Sequence, residues 1–338
     1  MAGIIFSKGS GLNDSIYGKS EAPIKAFLEQ NVKSYEEMST IKNIFKMVDS
    51  DNYGEKYSGM TGLAHGFQPV GEGAAYPQDE RQEGYSKFLE NITWKDSFQV
   101  TQEMIEDAKI LDLNKTGARG FVDQYYLTRE KYGSQLLIGA IAGTTTNFRG
   151  KTMDCTSADE QALFSTAHPS KTGNTGTQSN KFAGAFSDDV LGKIEVKMQN
   201  FTDDNGEVLN IAPDTIIIPN DHTLKKAVFA AIGADKEPTT ANNGFNYLVG
   251  RWTVIVSPYL NGALDTPSAG DKPFFILDKK YNDNYNGLLF LERIKLTVKS
   301  WIDNNTDNNV WSGRARFVCG ANDWRQISVG GCTGGTAL

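Results

Sequence analysis

The clearest pattern of apolar and polar positions lies in the middle of the chain, between Leu209 and Asp221. It predicts a strand, a turn at a proline, a fully buried strand and the start of a helix. The hairpin signal Asp204-Asn205-Gly206 precedes it, and helical spacing from Thr223 to Gly233 follows it. Nothing in the segment is chemically reactive. We therefore expect it to form the centre of a compact α+β unit.

Three other segments place apolar residues at helical spacing. Ala22 to Val48 predicts one or two amphipathic helices that lie away from any obvious core. Leu113 to Ala142 predicts one helix of roughly 45 Å, at a rise of 1.5 Å per residue. Ser187 is expected to cap a third helix, which runs from Asp188 to Phe201.

Runs of apolar and alternating residues predict strands in the remaining ordered parts of the chain. The two longest form a hairpin with one wetted face, joined by a turn rich in Asp and Asn. A last short strand is expected near Arg325 and Ile327. The predicted strands are Phe88–Val100, Trp252–Val256, Phe274–Leu277, Leu288–Leu291, Ile294–Ile302 and Val310–Val318.

Long polar stretches lie on either side of the longest predicted helix. Residues 51–84 are rich in glycine and residues 144–186 are rich in polar residues, without a regular apolar period. Residues 1–20 have the composition of a flexible arm. Irregular segments of this length are uncommon inside a compact domain and are usually functional or disordered.

Composition excludes some classes of function. The chain has 338 residues, enough for one large or two medium domains, and its net charge of −7 argues against a dedicated nucleic-acid binder. The charge is uneven: residues 51–100 carry 4 basic and 8 acidic residues, whereas residues 251–300 carry 7 and 5. Solvated surface explains this asymmetry, and complementary contact between copies is the alternative.

No export signal and no membrane span is apparent, so we expect a cytoplasmic product without a membrane partner.

No motif in the chain predicts catalysis, and we expect no catalytic residue. The only hydroxyl groups near a histidine in a suggestive order are in Ser165-Thr166-Ala167-His168-Pro169, where a turn at Pro169 is favoured over a triad. The cysteines are widely spaced and odd in number, which indicates buried or incidental thiols rather than disulfides or a zinc site. They are Cys155, Cys319 and Cys332.

Possible ligand sites also have simpler explanations, so we expect no metal and no cofactor. The acidic run from Asp203 to Glu207 is better explained as a hairpin turn than as a calcium loop, because Phe201 would occupy the first ligand position. The glycines at 173 and at 330–335 lack the sequence of a phosphate loop and are expected in mobile loop or tail. The five tryptophans are expected in core or subunit contacts rather than in a stacking platform.

Several motifs, in their order along the chain, resemble the major capsid proteins of tailed bacteriophages with the HK97-type fold, and especially the Mu-like major head subunits. The resemblance covers roughly residues 55 to 330. The motifs are Glu72-Gly-Ala-Ala-Tyr-Pro-Gln-Asp79, Phe98-Gln-Val-Thr-Gln-Glu-Met-Ile-Glu-Asp107, Leu163-Phe-Ser-Thr-Ala-His-Pro169, Val254-Ile-Val-Ser-Pro-Tyr-Leu260 and Phe274-Phe-Ile-Leu-Asp278.

The resemblance implies an HK97-like α+β subunit made of named parts. These are an N-terminal arm at 1–50, an extended E-loop at 51–100, a peripheral domain at 101–186 with a spine helix at about 113–142 and a peripheral loop at about 144–186, an axial domain at 187–290, and closing peripheral-domain strands with a tail at 291–338.

The implied function is structural and not enzymatic. The subunit would self-assemble into pentamers and hexamers of an icosahedral head around double-stranded DNA, which it would touch without sequence preference. Scaffold, portal and decoration proteins are possible partners, and the protein would reside in the virion after assembly in the host cytoplasm. The balanced charge of residues 101–150 suits a hypothesis in which the spine helix faces the DNA.

Three alternatives remain open at this point. An encapsulin-like compartment would share the fold but enclose protein cargo. A soluble hydrolase with a site assembled from distant residues is less favoured. A β-rich binding module explains the turns and tryptophans but not the long central helix. In some relatives a Lys–Asn isopeptide crosslinks subunits, and the sequence places no such pair here.

Overall fold

The structure is a computed structural model with a mixed α+β fold. It describes residues 5–6, 35, 38–60, 67, 69–73, 75–76, 78, 83–101, 103, 110–173, 176–233, 246–266 and 269–338. The predicted flexible arm at 1–20 and most of the predicted helix from Ala22 lie outside these residues. Among the described helices, none is both long enough and apolar enough to cross a bilayer.

The strands and helices alternate irregularly along the chain. The strands are β1 (Ile5–Phe6), β2 (Lys46–Asp49), β3 (Gly54–Met60), β4 (Glu83–Glu90), β5 (Ile92–Val100), β6 (Thr145–Phe148), β7 (Lys151–Asp154), β8 (Thr215–Pro219), β9 (Thr253–Ser257), β10 (Ala269–Leu277), β11 (Leu288–Asp303), β12 (Asn308–Ala321) and β13 (Ile327–Cys332). The helices are α1 (Ile41–Ile44), α2 (Ile110–Ala142), α3 (Asp188–Gln199), α4 (His222–Gly233) and α5 (Lys279–Tyr285), with a 3₁₀ helix at Pro258–Asp265.

Two sheets organise the described residues. A five-stranded sheet has the order β1-β11-β12-β5, with β2 also paired to β11, and a four-stranded sheet has the order β13-β10-β8-β9. The chain segments β1 and β2 run parallel to β11, whereas β11, β12 and β5 are antiparallel. Two hairpins, β3–β4 and β6–β7, complete the strands.

One apolar core joins the two sheets. It includes the fully buried strand β8, the C-terminal half of α2 and the adjoining strands of the five-stranded sheet. Ile217, for example, is fully buried in β8, and Leu136 is fully buried in α2. A smaller cluster packs the preceding turns of α2, from Phe121 to Tyr126, against β11 and β12. The long helix is therefore held by packing on the sheets.

Several helix and strand predictions are confirmed. The predicted helix from Leu113 to Ala142 matches α2, and the Ser187 side chain accepts a hydrogen bond from the Val190 N–H at the start of α3. Asp221 caps α4 in the same way, since its carboxylate accepts from the Leu224 N–H at 2.9 Å. The turn at Asp204-Asn205-Gly206 is present between the paired residues Thr202 and Val208.

The predicted amphipathic helix is wrong at its C-terminal end. Helix α1 ends at Ile44, because Phe45 adopts an extended backbone and Lys46 to Asp49 pair with β11 as β2. Ile41, Ile44 and Phe45 are each no more than 2% exposed in the main core. This part of the chain is therefore built into the subunit rather than detached from it.

Four other predictions are corrected by tertiary structure. Leu209 to Ala212 form no strand, because Ala212 N–H bonds to the Asp278 carboxylate instead of a neighbouring strand. The two strands predicted on either side of Glu292 are one strand, β11, since register shifts absorb the interruption. Gly330 and Gly331 are buried within β13 and not in a mobile tail. Residues 145–154 form a hairpin inside a segment expected to be irregular.

Candidate functional site

His168 lies in a buried polar cluster and has a structural role. Its Nδ1 is 2.6 Å from Oδ2 of Asp159, its Nε2 is 3.1 Å from Oδ1 of Asn180, and its ring stacks on Trp324 at 4.2 Å between centroids. The Ser157 hydroxyl donates to the same Asp159 carboxylate. Both ring nitrogens of His168 thus have polar partners, and the ring is buried. His168, which the sequence placed in a turn at Pro169, therefore also packs in the interior.

The amide of Asn180 connects this cluster to two distant parts of the chain. Its Nδ2 donates to the carbonyl oxygens of Leu163, Trp324 and Ile327, and its Oδ1 accepts from the Ser165 N–H as well as facing His168. Asn180 is fully buried. Because a buried amide that is satisfied on both sides fixes its neighbours in place, this residue holds the loop after β7 against the residues that begin β13.

Burial and hydrogen bonding act in opposite directions on the Asp159 carboxyl. Burial raises its pKa, but the hydrogen bond and charge of His168, together with the hydrogen bond from Ser157, hold the pKa below its usual range. Asp159 is therefore ionised and paired at neutral pH. It has no open side from which it could act on a substrate.

The three thiols are buried in the folded chain, as the sequence predicted. All three have a free thiol group, and none of the three forms a disulfide. Burial raises the pKa of Cys155 to about 12 and that of Cys332 to about 11, and it raises the pKa of Cys319 well above its usual range. Among the described residues, no group of three or more His, Cys, Asp and Glu side chains is placed to hold a metal ion.

The hairpin β3–β4 is anchored at its base on the five-stranded sheet. Leu89 packs with Leu289, Leu291 and Val318 in a separate apolar cluster. Further out, the Lys87 ammonium is 2.5 Å from the Asp154 carboxylate at the end of β7. These contacts fix where the hairpin leaves the subunit.

A third tie joins the hairpin to the loop before Asn180. The Lys171 ammonium donates to the Gly84 carbonyl at 2.7 Å and lies over the Tyr85 ring at 5.7 Å from its centroid. Residues from β4, the β6–β7 hairpin and this loop therefore hold one another. The glycine-rich segment that the sequence singled out is therefore anchored through β4, the second of its two paired strands.

Between β3 and β4 the chain exposes apolar side chains that the subunit itself does not cover. Phe67 is 107% exposed, Tyr76 is 94% exposed and Val70 is 52% exposed. Isolated exposed apolar residues are common on proteins, but three of them between the same two paired strands indicate a contact surface. A second group, more than half exposed, lies beside the four-stranded sheet on α3, on α4 and after α4: Val196, Phe229 and Tyr247.

The described face of α2 offers little for a nucleic-acid contact. Between Gly120 and Ala142 most side chains are buried, and the cations are Arg129 and Lys131. The Arg129 guanidinium is 2.8 Å from the Glu292 carboxylate, and both side chains are nearly buried. Only Lys131 is an exposed cation in this stretch. The hypothesis that this helix faces DNA is therefore not supported over these residues.

Comparison with known proteins points to one family. A family model described as phage capsid protein matches residues 89–329, which is most of the chain. No curated protein matches the sequence at a significant level.

Solved structures of phage capsids share the fold. The capsid of Ralstonia phage GP4 is 8% identical, with 87% of each chain covered and a TM-score of 0.55. The capsid of the native GTA particle is 11% identical, with 87% of this chain and 89% of that chain covered and a TM-score of 0.52. At such low identity these two likenesses concern the HK97-like fold alone. Together with the family match over residues 89–329, they lead to one conclusion: the chain belongs to the phage capsid protein family.

Proposed function

We propose that the chain is the major capsid subunit of an icosahedral shell. It closes the shell as pentamers and hexamers, with the β3–β4 hairpin lying on a neighbouring subunit. The observation that carries this proposal is the exposure of Phe67, Val70 and Tyr76 on a segment whose base is fixed. Burying one large apolar side chain is worth about 1.5–3 kcal/mol. The isolated subunit leaves Phe67, Val70 and Tyr76 exposed, so this free energy of burial is gained only when a partner covers them.

The proposed parts of the subunit follow the predicted boundaries with two adjustments. The E-loop at 51–100 includes the β3–β4 hairpin, and the spine helix corresponds to α2. The arm is proposed to end before residue 39, because Ile41, Ile44 and Phe45 belong to the core. The axial domain at 187–290 receives a further strand from the closing segment at 291–338, since β13 pairs with β10.

The exposed residues beside the four-stranded sheet support a second contact. Val196 and Phe229 lie on α3 and α4, on the proposed axial domain. Neighbouring axial domains would cover them around the centre of a capsomer. Subunits in a closed ring repeat one heterologous contact, so a single pair of complementary patches is sufficient.

The proposed setting is that of a virion. The subunit is made and assembled in the host cytoplasm and ends in the capsid, where it encloses double-stranded DNA through contacts without sequence preference. Scaffold, portal and decoration proteins are proposed partners of the shell. Membership of the Mu-like group stays a prediction from the motifs.

The test is a paired substitution on the hairpin. Phe67→Ser with Tyr76→Ser removes two aromatic side chains that the isolated subunit leaves exposed, so circular dichroism and thermal unfolding should be unchanged. Assembly measured by analytical ultracentrifugation should fall at least tenfold, because about 3 kcal/mol or more is lost at each contact.

Val208→Ser is the matched control. Val208 is similarly exposed at 57% but lies in a turn outside the hairpin, so its loss should leave assembly within twofold of the wild type. If the double variant assembles as well as the wild type, the hairpin does not make the proposed contact.

A further inference from the structure

Strand β4 contacts its own subunit at three successive positions along its length. Leu89 packs in the apolar cluster on the five-stranded sheet, Lys87 binds residues at and after the end of β7, and Gly84 binds the loop before Asn180. These positions extend over roughly 17 Å, at a rise of about 3.4 Å per residue. The apolar contact lies at the base, and the two polar contacts further along are called the Lys87 tie and the Lys171 tie.

The Lys87 tie is a charged contact. The Lys87 ammonium is 2.5 Å from Oδ2 of Asp154 and also donates to the Thr156 hydroxyl. Burial raises the pKa of the Asp154 carboxyl, but hydrogen bonds from Lys87 and Thr156, together with the charge of Lys87, hold the pKa below its usual range. Asp154 is therefore ionised at neutral pH, and hydrogen bonds between charged groups are stronger than those between neutral ones.

The Lys171 tie ends on a part of the subunit that is itself held in place. The Lys171 ammonium donates to the Gly84 carbonyl at 2.7 Å. Next to it, the Ser170 hydroxyl donates to the Asp204 carbonyl at 2.9 Å, and the Lys171 N–H donates to the Asp204 carboxylate. That carboxylate pairs with the Arg325 guanidinium at 3.2 Å, and both side chains are largely buried. The loop that carries Lys171 is thus fastened to the body of the subunit.

The two ties add direction to a hairpin whose base is already fixed. The contacts at the base leave the far end able to swing, because they lie close to the point about which it would turn. Contacts at two positions further along restrict that motion. Ion pairs with a solvent-exposed partner contribute little to overall stability, so the main effect of the ties is on the direction of the hairpin. That direction decides where Phe67, Val70 and Tyr76 are presented.

We propose that Lys87 and Lys171 are positioning residues that hold the β3–β4 hairpin in the orientation in which it meets a neighbouring subunit. The inference rests on the proposed function, since it requires that contact. Both residues act through the hairpin and not by touching the neighbour. A hairpin that is ordered when the subunit folds does not have to be ordered again on association, so assembly is favoured.

The size of the effect follows from the strength of such contacts. Exposed ion pairs usually shift an equilibrium by no more than about fivefold each. Loss of both ties should therefore reduce the population of the oriented hairpin, relative to other orientations, by about three- to twentyfold. The apparent affinity of one subunit for the next falls with the population that is competent to bind, so the concentration needed for assembly should rise by about the same factor.

The test variant is Lys87→Met with Lys171→Met, which removes both ammonium groups and keeps apolar stems of similar length. The matched control is Lys151→Met with Lys280→Met, because both of these lysines are exposed and the change in net charge is the same. The midpoint of unfolding in urea should change little in either variant, since exposed ion pairs contribute little to stability. Analytical ultracentrifugation of the full chain measures the concentration needed for assembly.

Pulsed electron paramagnetic resonance measures the orientation of the hairpin directly in the unassembled full chain. Spin labels are attached at Ser58→Cys on β3 and Lys197→Cys on α3, both exposed positions, while the native cysteines are buried. The wild type and the control should give one narrow distribution of distances between the labels. The Lys87→Met with Lys171→Met variant should give a clearly wider one.

Two results would overturn the inference. The test variant could keep the narrow distribution, in which case the ties do not orient the hairpin. It could also show the wide distribution and still assemble like the wild type, while Phe67→Ser with Tyr76→Ser impairs assembly; the orientation would then not matter for the contact. If the Phe67→Ser with Tyr76→Ser variant also assembles normally, the proposed function fails, and this inference fails with it.

Discussion

Replacing Asn180 with alanine tests how the buried polar cluster holds the subunit together. The substitution removes five hydrogen bonds from a fully buried position: three donated by Nδ2 and two accepted by Oδ1. The Trp324 carbonyl still accepts from the Ile327 N–H at 3.2 Å, so this group keeps a partner. The Ser165 N–H and the His168 Nε2 lose the acceptor that they face.

The cost follows from the number of polar groups left without a partner. A buried donor or acceptor that loses its partner costs about 1–3 kcal/mol. With two or three such groups, we expect the free energy of unfolding to fall by about 3–6 kcal/mol. This is a large fraction of the roughly 5–15 kcal/mol by which most domains are stable.

Urea denaturation of the unassembled subunit measures this loss through tryptophan fluorescence. Trp324 stacks on His168, so one of the five tryptophans that contribute to the emission lies in the cluster itself. The control is Asn304→Ala in the exposed turn between β11 and β12, where the change should stay within about 0.5 kcal/mol. If Asn180→Ala loses less than about 1 kcal/mol, the cluster does not hold the two chain segments as described.

Three further predictions concern the core. Ile217→Asp places a charge in the fully buried strand β8 and should abolish soluble folded protein, whereas Ile217→Val should lower the free energy of unfolding by only about 0.5–1.5 kcal/mol. Soluble yield and circular dichroism measure both effects. An Ile217→Asp variant that folds and forms shells would contradict the prediction. Gly313→Ala should lower the free energy of unfolding in urea by about 1–3 kcal/mol, because a Cβ there would lie 2.2 Å from Cζ of Phe121. Gly120→Ala has open space around it and should be neutral or stabilising. Equal effects of the two substitutions would refute the packing of α2 on β12. The buried thiols of Cys155, Cys319 and Cys332 should react with a thiol reagent only as fast as the protein unfolds. Rapid labelling of the native protein would contradict their burial.

Elements specified by local pattern could be predicted from the sequence. The apolar run of β8, the helical spacing of α2 and the cap at Ser187 each depend on residues close together in the chain, and each is present. The order of motifs also led to the capsid family, which the family match confirms.

Features that depend on tertiary contact could not be predicted in this way. Gly330 lies in a glycine-rich stretch typical of a tail, yet it pairs with Phe274 as part of β13. Glycine is required there because a Cβ would meet the Phe274 ring at 2.3 Å. The interruption at Glu292 suggested two strands, because register shifts within a ladder leave no local signal. The buried cluster likewise joins Asp159, His168 and Asn180 to Trp324, far away in sequence.

Charge counted along the sequence shows the same limit for a functional surface. The balanced charge of residues 101–150 had pointed to α2 as a surface that faces DNA. In the structure Arg129 is buried on that helix, because a count over sequence cannot tell which side chains are buried.

Electron microscopy of the purified full-length chain tests the central claim most directly. The account predicts closed shells of uniform diameter, or pentameric and hexameric rings, formed by this chain alone or together with its phage co-proteins. Persistent monomers under both conditions would contradict the assignment of the chain as a major capsid subunit.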